Sequence, residues 1–138
     1  MAFFVPITVR AYEIDINGHL NQAVYHQYAD HARWEQLRVA GIQREKMVTA
    51  GIGLVVLESN IKHLRELHLG DEVTVSCECQ WSGGKIYRMH QKIQKLDGTD
   101  SAQFDVVGGV LDLAARKLVA DPAGQLRKLA ESPEVLGL

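Results

Sequence analysis

The sequence predicts a single α+β domain, in which one long helix near the N-terminus is followed by an antiparallel β-sheet. Three observations support this fold class. The chain has 138 residues, which is the size of one domain. Apolar residues at helical spacing come first, and later segments alternate apolar and polar residues between short turn motifs. Because a single sheet must cover its apolar face with another layer, the long helix is expected to lie across it.

The N-terminal part is predicted to be a short strand followed by a turn. Residues 3–9 are rich in β-forming side chains, and Pro6 favours a position at the edge of the sheet, because proline donates no hydrogen bond. Residues 15–18 read Asp-Ile-Asn-Gly, and Asn and Gly both tolerate positive φ. The chain should therefore reverse direction just before the long helix.

The long helix is predicted over residues 22–40. Asn21 can cap its start, and Gly41 followed by Ile42 is typical of a left-handed helix end with an apolar contact. The expected buried stripe follows spacings of three and four and consists of Tyr25, Tyr28, Ala29, Ala32, Leu37 and Ala40. Residues 43–50 should add one or two further helical turns.

The rest of the chain is predicted to be a meander of long strands. These cover residues 53–67, 72–81, 85–96 and 102–113. The alternation is clearest in the second, which should place on one face Val73, Val75, Cys77, Cys79 and Trp81. Turns are expected at residues 70–71, 82–84 and 97–98. A short extension at 118–120 and a helix at 122–131 complete the prediction.

Composition argues against several classes of function. The net charge is −2, so there is no electrostatic case for nucleic acid or an anionic membrane. The start of the chain lacks signal-peptide features, and no apolar run is long enough for membrane insertion. Cys77 and Cys79 lie two apart on one predicted strand, which favours reduced core thiols over a disulfide or a zinc site. We therefore expect a cytoplasmic protein.

One segment, from Arg10 to Tyr28, combines features that suggest a catalytic site. It places the carboxylate of Asp15 on a turn that leads directly into the start of the long helix. A helix N-terminus offers unpaired N–H groups and partial positive charge, which can hold an oxyanion or polarise a carbonyl. A carboxylate beside it can act as base or nucleophile on that carbonyl. The alternative is that Asp15 only forms an Asx-type turn or caps the helix.

The same segment resembles the acyl-CoA thioesterases of the hotdog fold, in particular the 4-hydroxybenzoyl-CoA thioesterase family. The positions that match the family signature are Val9, Arg10, Glu13, Asp15, Gly18, His19, Tyr25, Tyr28, Asp30, Ala32 and Arg33. The order of predicted elements is also similar to a hotdog domain over essentially the whole chain, residues 1–138. The resemblance implies a long central helix wrapped by a curved antiparallel β-sheet, and assembly as a homodimer or homotetramer.

The resemblance also implies catalytic roles for two residues. In the family, a carboxylate at the position of Asp15 attacks the thioester carbonyl or activates a water that does so. A backbone N–H seven residues later, here that of Gln22, polarises the carbonyl. No metal or prosthetic group is implied.

Further residues are candidates for binding the substrate. Asn17 and Gly18 shape the turn, and Gly18 is expected to allow close approach of the substrate. His19 and Asn21 are candidates for substrate contact, with packing and helix capping as their alternatives. Tyr25 is expected to pack, together with Tyr28, beneath the loop that carries Asp15.

Basic residues are candidates for the phosphates of coenzyme A. In the resembling enzymes the nucleotide lies near the hairpin that here carries Lys85 and Arg88. A solvated surface lysine is the alternative for Lys85. The same two alternatives apply to Lys62, His63 and Arg65.

The expected function is the hydrolysis of an acyl thioester, carried by coenzyme A or by an acyl carrier protein. Two alternatives remain at this point. One is a hotdog hydratase or dehydratase, and the other is a non-catalytic hotdog protein that binds an acyl thioester. The sequence leaves open the acyl group and the choice between direct attack and water activation.

Overall fold

The computed structural model describes residues 3–138, which form three α-helices and six β-strands. The helices are α1 (Gln22–Val39), α2 (Arg44–Ala50) and α3 (Pro122–Leu129). The strands are β1 (Phe3–Thr8), β2 (Ile52–His63), β3 (Glu72–Trp81), β4 (Ile86–Lys95), β5 (Asp100–Asp112) and β6 (Lys117–Leu118). Two short 3-10 helices, Ala11–Glu13 and Pro133–Leu136, lie near the two ends. The expected α+β architecture is confirmed.

The strands form one antiparallel sheet in the order β1-β3-β4-β5-β2, with β6 paired to the end of β5. The outer strands are therefore β1 and β2. Pro6 lies in β1 opposite Thr74 of β3, so the edge position predicted from this proline is confirmed. Strand β2 is twice as long as β1 and carries a β-bulge between Val56 and Glu58. A bulge increases the local twist and so contributes to the curvature of the sheet.

Helix α1 packs against the inner face of this sheet. All six residues of the predicted stripe are buried, and Gln36 is buried with them. The side chain of Asn21 accepts a hydrogen bond from the Ala23 N–H at 2.9 Å, as expected of an N-cap. At the other end Gly41 has a φ of +85°, and the Ile42 N–H donates to the Leu37 carbonyl at 2.9 Å. Both predicted helix boundaries are confirmed to within one residue.

The inner face of the sheet forms the other half of the core. Val73, Val75 and Cys77 of β3 are buried, as their alternation predicts, and Ile93 and Phe104 on the neighbouring strands are fully buried. Burial of side chains of this size stabilises the fold by roughly 1.5–3 kcal/mol each. Cys77 and Cys79 carry free thiols. Burial raises the pKa of each to about 12, so both thiols are protonated at neutral pH.

The structure corrects several predicted boundaries. The strand predicted over residues 53–67 ends at His63, because the N–H groups of Leu64 and Arg65 both donate to the Ser101 carbonyl and the chain leaves the sheet. Strand β5 begins two residues before the predicted position, and α3 ends two residues before it. The two 3-10 helices were not predicted, since a single short turn has no periodic pattern. None of the helices within residues 3–138 has both the length and the apolar composition needed to cross a membrane.

Candidate active site

The residues between β1 and α1 form a small closed loop that presents Asp15. Ile14 and Leu20 make an isolated antiparallel bridge. Inside it, the Asp15 N–H donates to the His19 carbonyl at 3.0 Å, and the Gly18 N–H donates to the Asp15 carbonyl at 3.1 Å. Gly18 has a φ of +82°, a conformation that favours glycine. The predicted turn is confirmed, and it fixes the backbone of Asp15.

The carboxylate of Asp15 is held by its own turn. Its Oδ1 accepts the Asn17 N–H at 2.8 Å, which is the Asx geometry considered as the alternative role. The Nδ1 of His19 lies 3.9 Å from the same oxygen, and the side chain of Asp15 is 20% exposed. This arrangement leaves Oδ2 as the oxygen available for chemistry. Asp15 therefore forms a turn and also presents a carboxylate oxygen to solvent.

Gln22 is the first residue of α1. The Ala23 N–H is bound by the Asn21 side chain, and the Val24 N–H donates to the Asn21 carbonyl at 3.0 Å. The N–H of Gln22 itself has no hydrogen-bond acceptor within residues 3–138. It is therefore a free donor at the positive end of an 18-residue helix.

A cleft of about 520 Å³ brings these groups together. It is lined by Asp15, Asn17, His19, Leu20, Asn21, Gln22, Tyr25, His63, Leu64, Arg65 and Glu66. Six of the seven residues predicted for catalysis or substrate contact line it, and the seventh, Gly18, belongs to the same loop as Asp15. The opposite wall is the segment that follows β2. A hydrogen bond of 2.7 Å from the Leu20 N–H to the Leu67 carbonyl ties the two walls together.

The floor of the cleft is aromatic. Tyr25 is buried, and its ring meets the His63 ring edge-on with 4.9 Å between centroids. Burial raises the pKa of the Tyr25 hydroxyl, which therefore remains protonated. Tyr28 lies one turn further along α1, and its hydroxyl donates to Glu13 Oε1 at 2.6 Å. Both tyrosines pack beneath the loop, as predicted.

Of the basic residues considered for coenzyme A, His63 and Arg65 line the cleft, whereas Lys85 and Arg88 lie elsewhere in the chain. Arg88 is paired with Val107 on β5, whereas the cleft lies beyond Ala102 at the other end of that strand. Five residues of strand separate the two positions, which corresponds to about 17 Å. Arg88 also points away from α1, because Tyr87 and Met89 on either side are buried inward. Lys85 lies further still from the cleft, in the turn before β4, so neither residue joins Asp15 within one chain.

Sequence reasoning missed part of the cleft wall, namely Leu64 and Glu66. The Glu66 carboxylate lies 3.9 Å from His19 Nε2, so His19 stands between two carboxylates. The sequence predicts a strand here, and in a strand Arg65 would face away from Leu64 and Glu66, whereas all three line the cleft. No short pattern marks the point at which β2 ends.

A second, smaller cavity lies between α1 and the sheet. It has a volume of about 80 Å³, and its walls are largely apolar, including Trp34, Leu37, Leu54 and Trp81. It shares no lining residue with the cleft at Asp15. Within residues 3–138, His, Cys, Asp and Glu side chains form no group of three or more arranged to hold a metal ion.

Comparisons with known proteins agree with this architecture. A family model described as the thioesterase-like superfamily matches residues 9–136. The chain is similar to the long-chain acyl-CoA thioesterase FadM of Escherichia coli, with 30% identity over 91% of this chain and 94% of that protein. It is 36% identical to the chloroplastic acyl-acyl carrier protein thioesterase ATL3 of Arabidopsis thaliana over 62% of this chain, and spans 46% of that relative. The crystal structure of YbaW, a probable thioesterase from Escherichia coli, superposes with a TM-score of 0.81 at 29% identity, over 91% and 94% of the two chains.

Proposed function

The chain belongs to the thioesterase-like superfamily and has the hotdog fold, and on this basis we propose that it hydrolyses acyl thioesters in the cleft between Asp15 and Gln22. The reaction converts a thioester and water into a carboxylic acid and a free thiol. The substrate class is acyl-CoA, with acyl-carrier-protein thioesters as the second possibility. The observation that carries the proposal is that a carboxylate and a free helix N-terminal N–H line the same open cleft.

The carboxylate of Asp15 is assigned the attacking step. With Oδ1 held by the Asn17 N–H, Oδ2 can attack the thioester carbonyl directly, which expels the thiolate and leaves a mixed anhydride that water then hydrolyses. Alternatively, Oδ2 removes a proton from a water that attacks the same carbonyl. A single turnover in labelled water distinguishes the two routes. After direct attack, water that hydrolyses the anhydride at the Asp15 carbonyl leaves the label in Asp15, whereas water activation places the label in the product acid and never in Asp15.

The N–H of Gln22 is assigned to the developing oxyanion. Charge builds up on the carbonyl oxygen as the tetrahedral intermediate forms, and a fixed donor aimed at it is worth roughly 3 kcal/mol. Only the main chain takes part, so the identity of the side chain is unimportant. His19, Asn21 and Tyr25 line the same cleft and are proposed to contact the substrate around the thioester.

Assembly of two copies through β2 is part of the proposal. Strand β2 has 12 residues and, among residues 3–138, is hydrogen-bonded to β5 alone. Val56 and Leu57 on it are 52% and 50% exposed. An edge of this kind favours pairing with another strand, whereas Pro6 protects the opposite edge. A homodimer, or a homotetramer built from it, would place the acyl group between α1 of one subunit and strands of both. It would also allow Lys85 and Arg88 of a second copy to contact the nucleotide.

Location in the cytoplasm remains a prediction. It depends on the two free thiols, which are stable in a reducing compartment.

The test compares Asp15→Asn with Asp97→Asn in a screen of acyl-CoA substrates. Asp97 makes the same type of turn, accepting the Thr99 N–H at 2.9 Å, but on a hairpin remote from the cleft. Asparagine keeps the acceptor oxygen in both turns, so both variants should fold. We expect Asp15→Asn to lower kcat by two to four orders of magnitude and Asp97→Asn to leave it unchanged. Equal activity of the two variants would mean that Asp15 is only a turn residue.

The same screen separates the alternative functions. Release of free thiol supports a thioesterase, and a change in enoyl absorbance without thiol release supports a hydratase. Saturable binding without either change supports a non-catalytic binding protein.

A further inference from the structure

Glu13 is a buried carboxylate two residues before Asp15, and the proposed chemistry does not use it. It is only 7% exposed, which is rare for an acidic residue unless it is paired. Its Oε1 accepts the Tyr28 hydroxyl at 2.6 Å and the Arg10 N–H at 2.9 Å, and its Oε2 accepts Arg10 Nη1 at 3.1 Å. The side chain thus joins the end of β1 to the middle of α1.

The main chain of Glu13 reaches the other half of the site. Its carbonyl accepts the Asn21 N–H at 2.9 Å, and Asn21 immediately precedes Gln22. Along the chain, only Ile14 separates Glu13 from Asp15. Glu13 therefore holds both the loop that presents the Asp15 carboxylate and the first turn of the helix that presents the Gln22 N–H.

The charge of Glu13 makes this anchor strong. Burial by itself raises the pKa of the carboxyl, but hydrogen bonds from Tyr28 and from Arg10, together with the Arg10 charge, bring the pKa below its ordinary value. Burial and the Glu13 charge raise the pKa of Tyr28, so the phenol remains a donor. Tyr12, the neighbour of Glu13 in the chain, is 81% exposed. Hydrogen bonds to an ionised acceptor are about twice as strong as neutral ones.

We infer that Glu13 is a positioning residue for the hydrolysis, and that its contacts with Tyr28 and Arg10 set the separation between the Asp15 carboxylate and the Gln22 N–H. This inference rests on the proposed function. A displacement of about 1 Å in a catalytic group can lower a rate by roughly 100-fold. Loss of the anchor should therefore lower kcat even in molecules that remain folded.

The experiment is a double-mutant cycle between Glu13→Gln and Asp15→Asn. Glutamine keeps the shape of the side chain but removes its charge and faces the donors of Tyr28 and Arg10 with an NH₂ group. We expect Glu13→Gln alone to lower kcat by about 10- to 100-fold, with KM changed less than threefold. In the Asp15→Asn background, measured under single-turnover conditions, it should cause less than a threefold further loss, because there is no longer a carboxylate to position.

Tyr28→Phe is the second variant, and it decides the outcome if Glu13→Gln does not fold. It keeps the charge of Glu13 and removes only the 2.6 Å hydrogen bond. We expect a loss in kcat of about 3- to 30-fold, again without a matching change in KM and again absent in the Asp15→Asn background.

Gln91→Met serves as the matched control. Gln91 is fully buried and also links α1 to the sheet, donating to the Ala29 carbonyl and accepting from Arg33, but it lies outside the cleft. The Gln91→Met substitution should lower the melting temperature without changing kcat per folded molecule. If Glu13→Gln and Tyr28→Phe behave like this control, or lose the same factor in both backgrounds, the inference is wrong. If the wild type hydrolyses no thioester in the screen, the proposed function itself fails.

Discussion

Replacement of Gln22 by proline would remove one N–H from the proposed site and little else. Proline is favoured at the first position of a helix, because the N–H there has no partner within the helix. The preceding residue, Asn21, already has φ −62° and ψ 136°, which is the extended conformation that a following proline requires. The Gln22 side chain is exposed and makes no hydrogen bond within residues 3–138. The variant should therefore fold with a stability within about 1 kcal/mol of the wild type.

The expected loss of activity follows from the role assigned to this N–H. An oxyanion donor contributes roughly 2.7–4 kcal/mol to transition-state stabilisation. At about 1.4 kcal/mol per tenfold change, its removal should lower kcat by about 100- to 1,000-fold. Because the donor acts chiefly on charge that develops during the reaction, KM should change much less than kcat.

The assay measures thiol release with acyl-CoA substrates, alongside circular dichroism and thermal melting. Arg44→Pro is the matched control, since Arg44 is also the first residue of a helix and follows an extended residue, Gln43, with φ −93° and ψ 158°. It lies outside the cleft and should keep both fold and activity. If folded Gln22→Pro hydrolyses thioesters at the rate of Arg44→Pro, the oxyanion assignment is wrong.

Three further predictions follow from the geometry. Gly18→Ala should lower the melting temperature by about 3–4 °C, because a residue with a side chain loses about 1 kcal/mol of stability at the φ of +82° found here. The added Cβ would meet no atom within 4 Å, so a fall beyond about 10 °C would contradict this reasoning. Leu57→Lys should convert the assembly to monomers in light scattering and abolish hydrolysis, and retention of an active dimer would exclude pairing through β2. Glu13→Gln should melt below the wild type at neutral pH, with a gap that narrows as the pH falls below 4.5. Because folding lowers the pKa of the Glu13 carboxyl, its charge stabilises the fold at pH values above the pKa of the unfolded chain, and this stabilisation is lost as the pH falls through the lower pKa of the folded chain. A difference in melting temperature that stays constant down to pH 3 would contradict the ion pair with Arg10.

Periodic features of the sequence predicted the fold accurately. The spacing of Tyr25, Ala29 and Ala32 along one face of a helix, and the alternation from Val73 to Trp81, each arise from burial on one side of a regular element. When one side of a helix or strand is buried, apolar residues must recur along the sequence at the period of that element. Tight turns with Gly and Asp were equally predictable, because few other residues adopt their backbone angles.

The wall of the cleft could not be predicted in this way. Leu64, Arg65 and Glu66 face it because β2 stops at His63, and the stop depends on hydrogen bonds to Ser101, which is more than 35 residues away in the chain. A local sequence pattern cannot indicate a hydrogen-bond partner that lies so far away in the chain. The burial of Glu13 was missed because an acidic residue is ordinarily exposed, and because its partner Tyr28 lies 15 residues further along the chain.

Two carboxylates stand two residues apart in this loop, and their surroundings assign them different roles. Glu13 accepts three hydrogen bonds, one of them from a cation, and is shielded from water. A carboxylate held in this way is a weak base and a weak nucleophile, because reaction would break the bonds that stabilise its charge. Asp15 accepts one backbone hydrogen bond, on Oδ1, and stands in an open cleft beside a free helix N–H. The residue that is less restrained is therefore the one suited to attack, and the restrained one is suited to hold it in place.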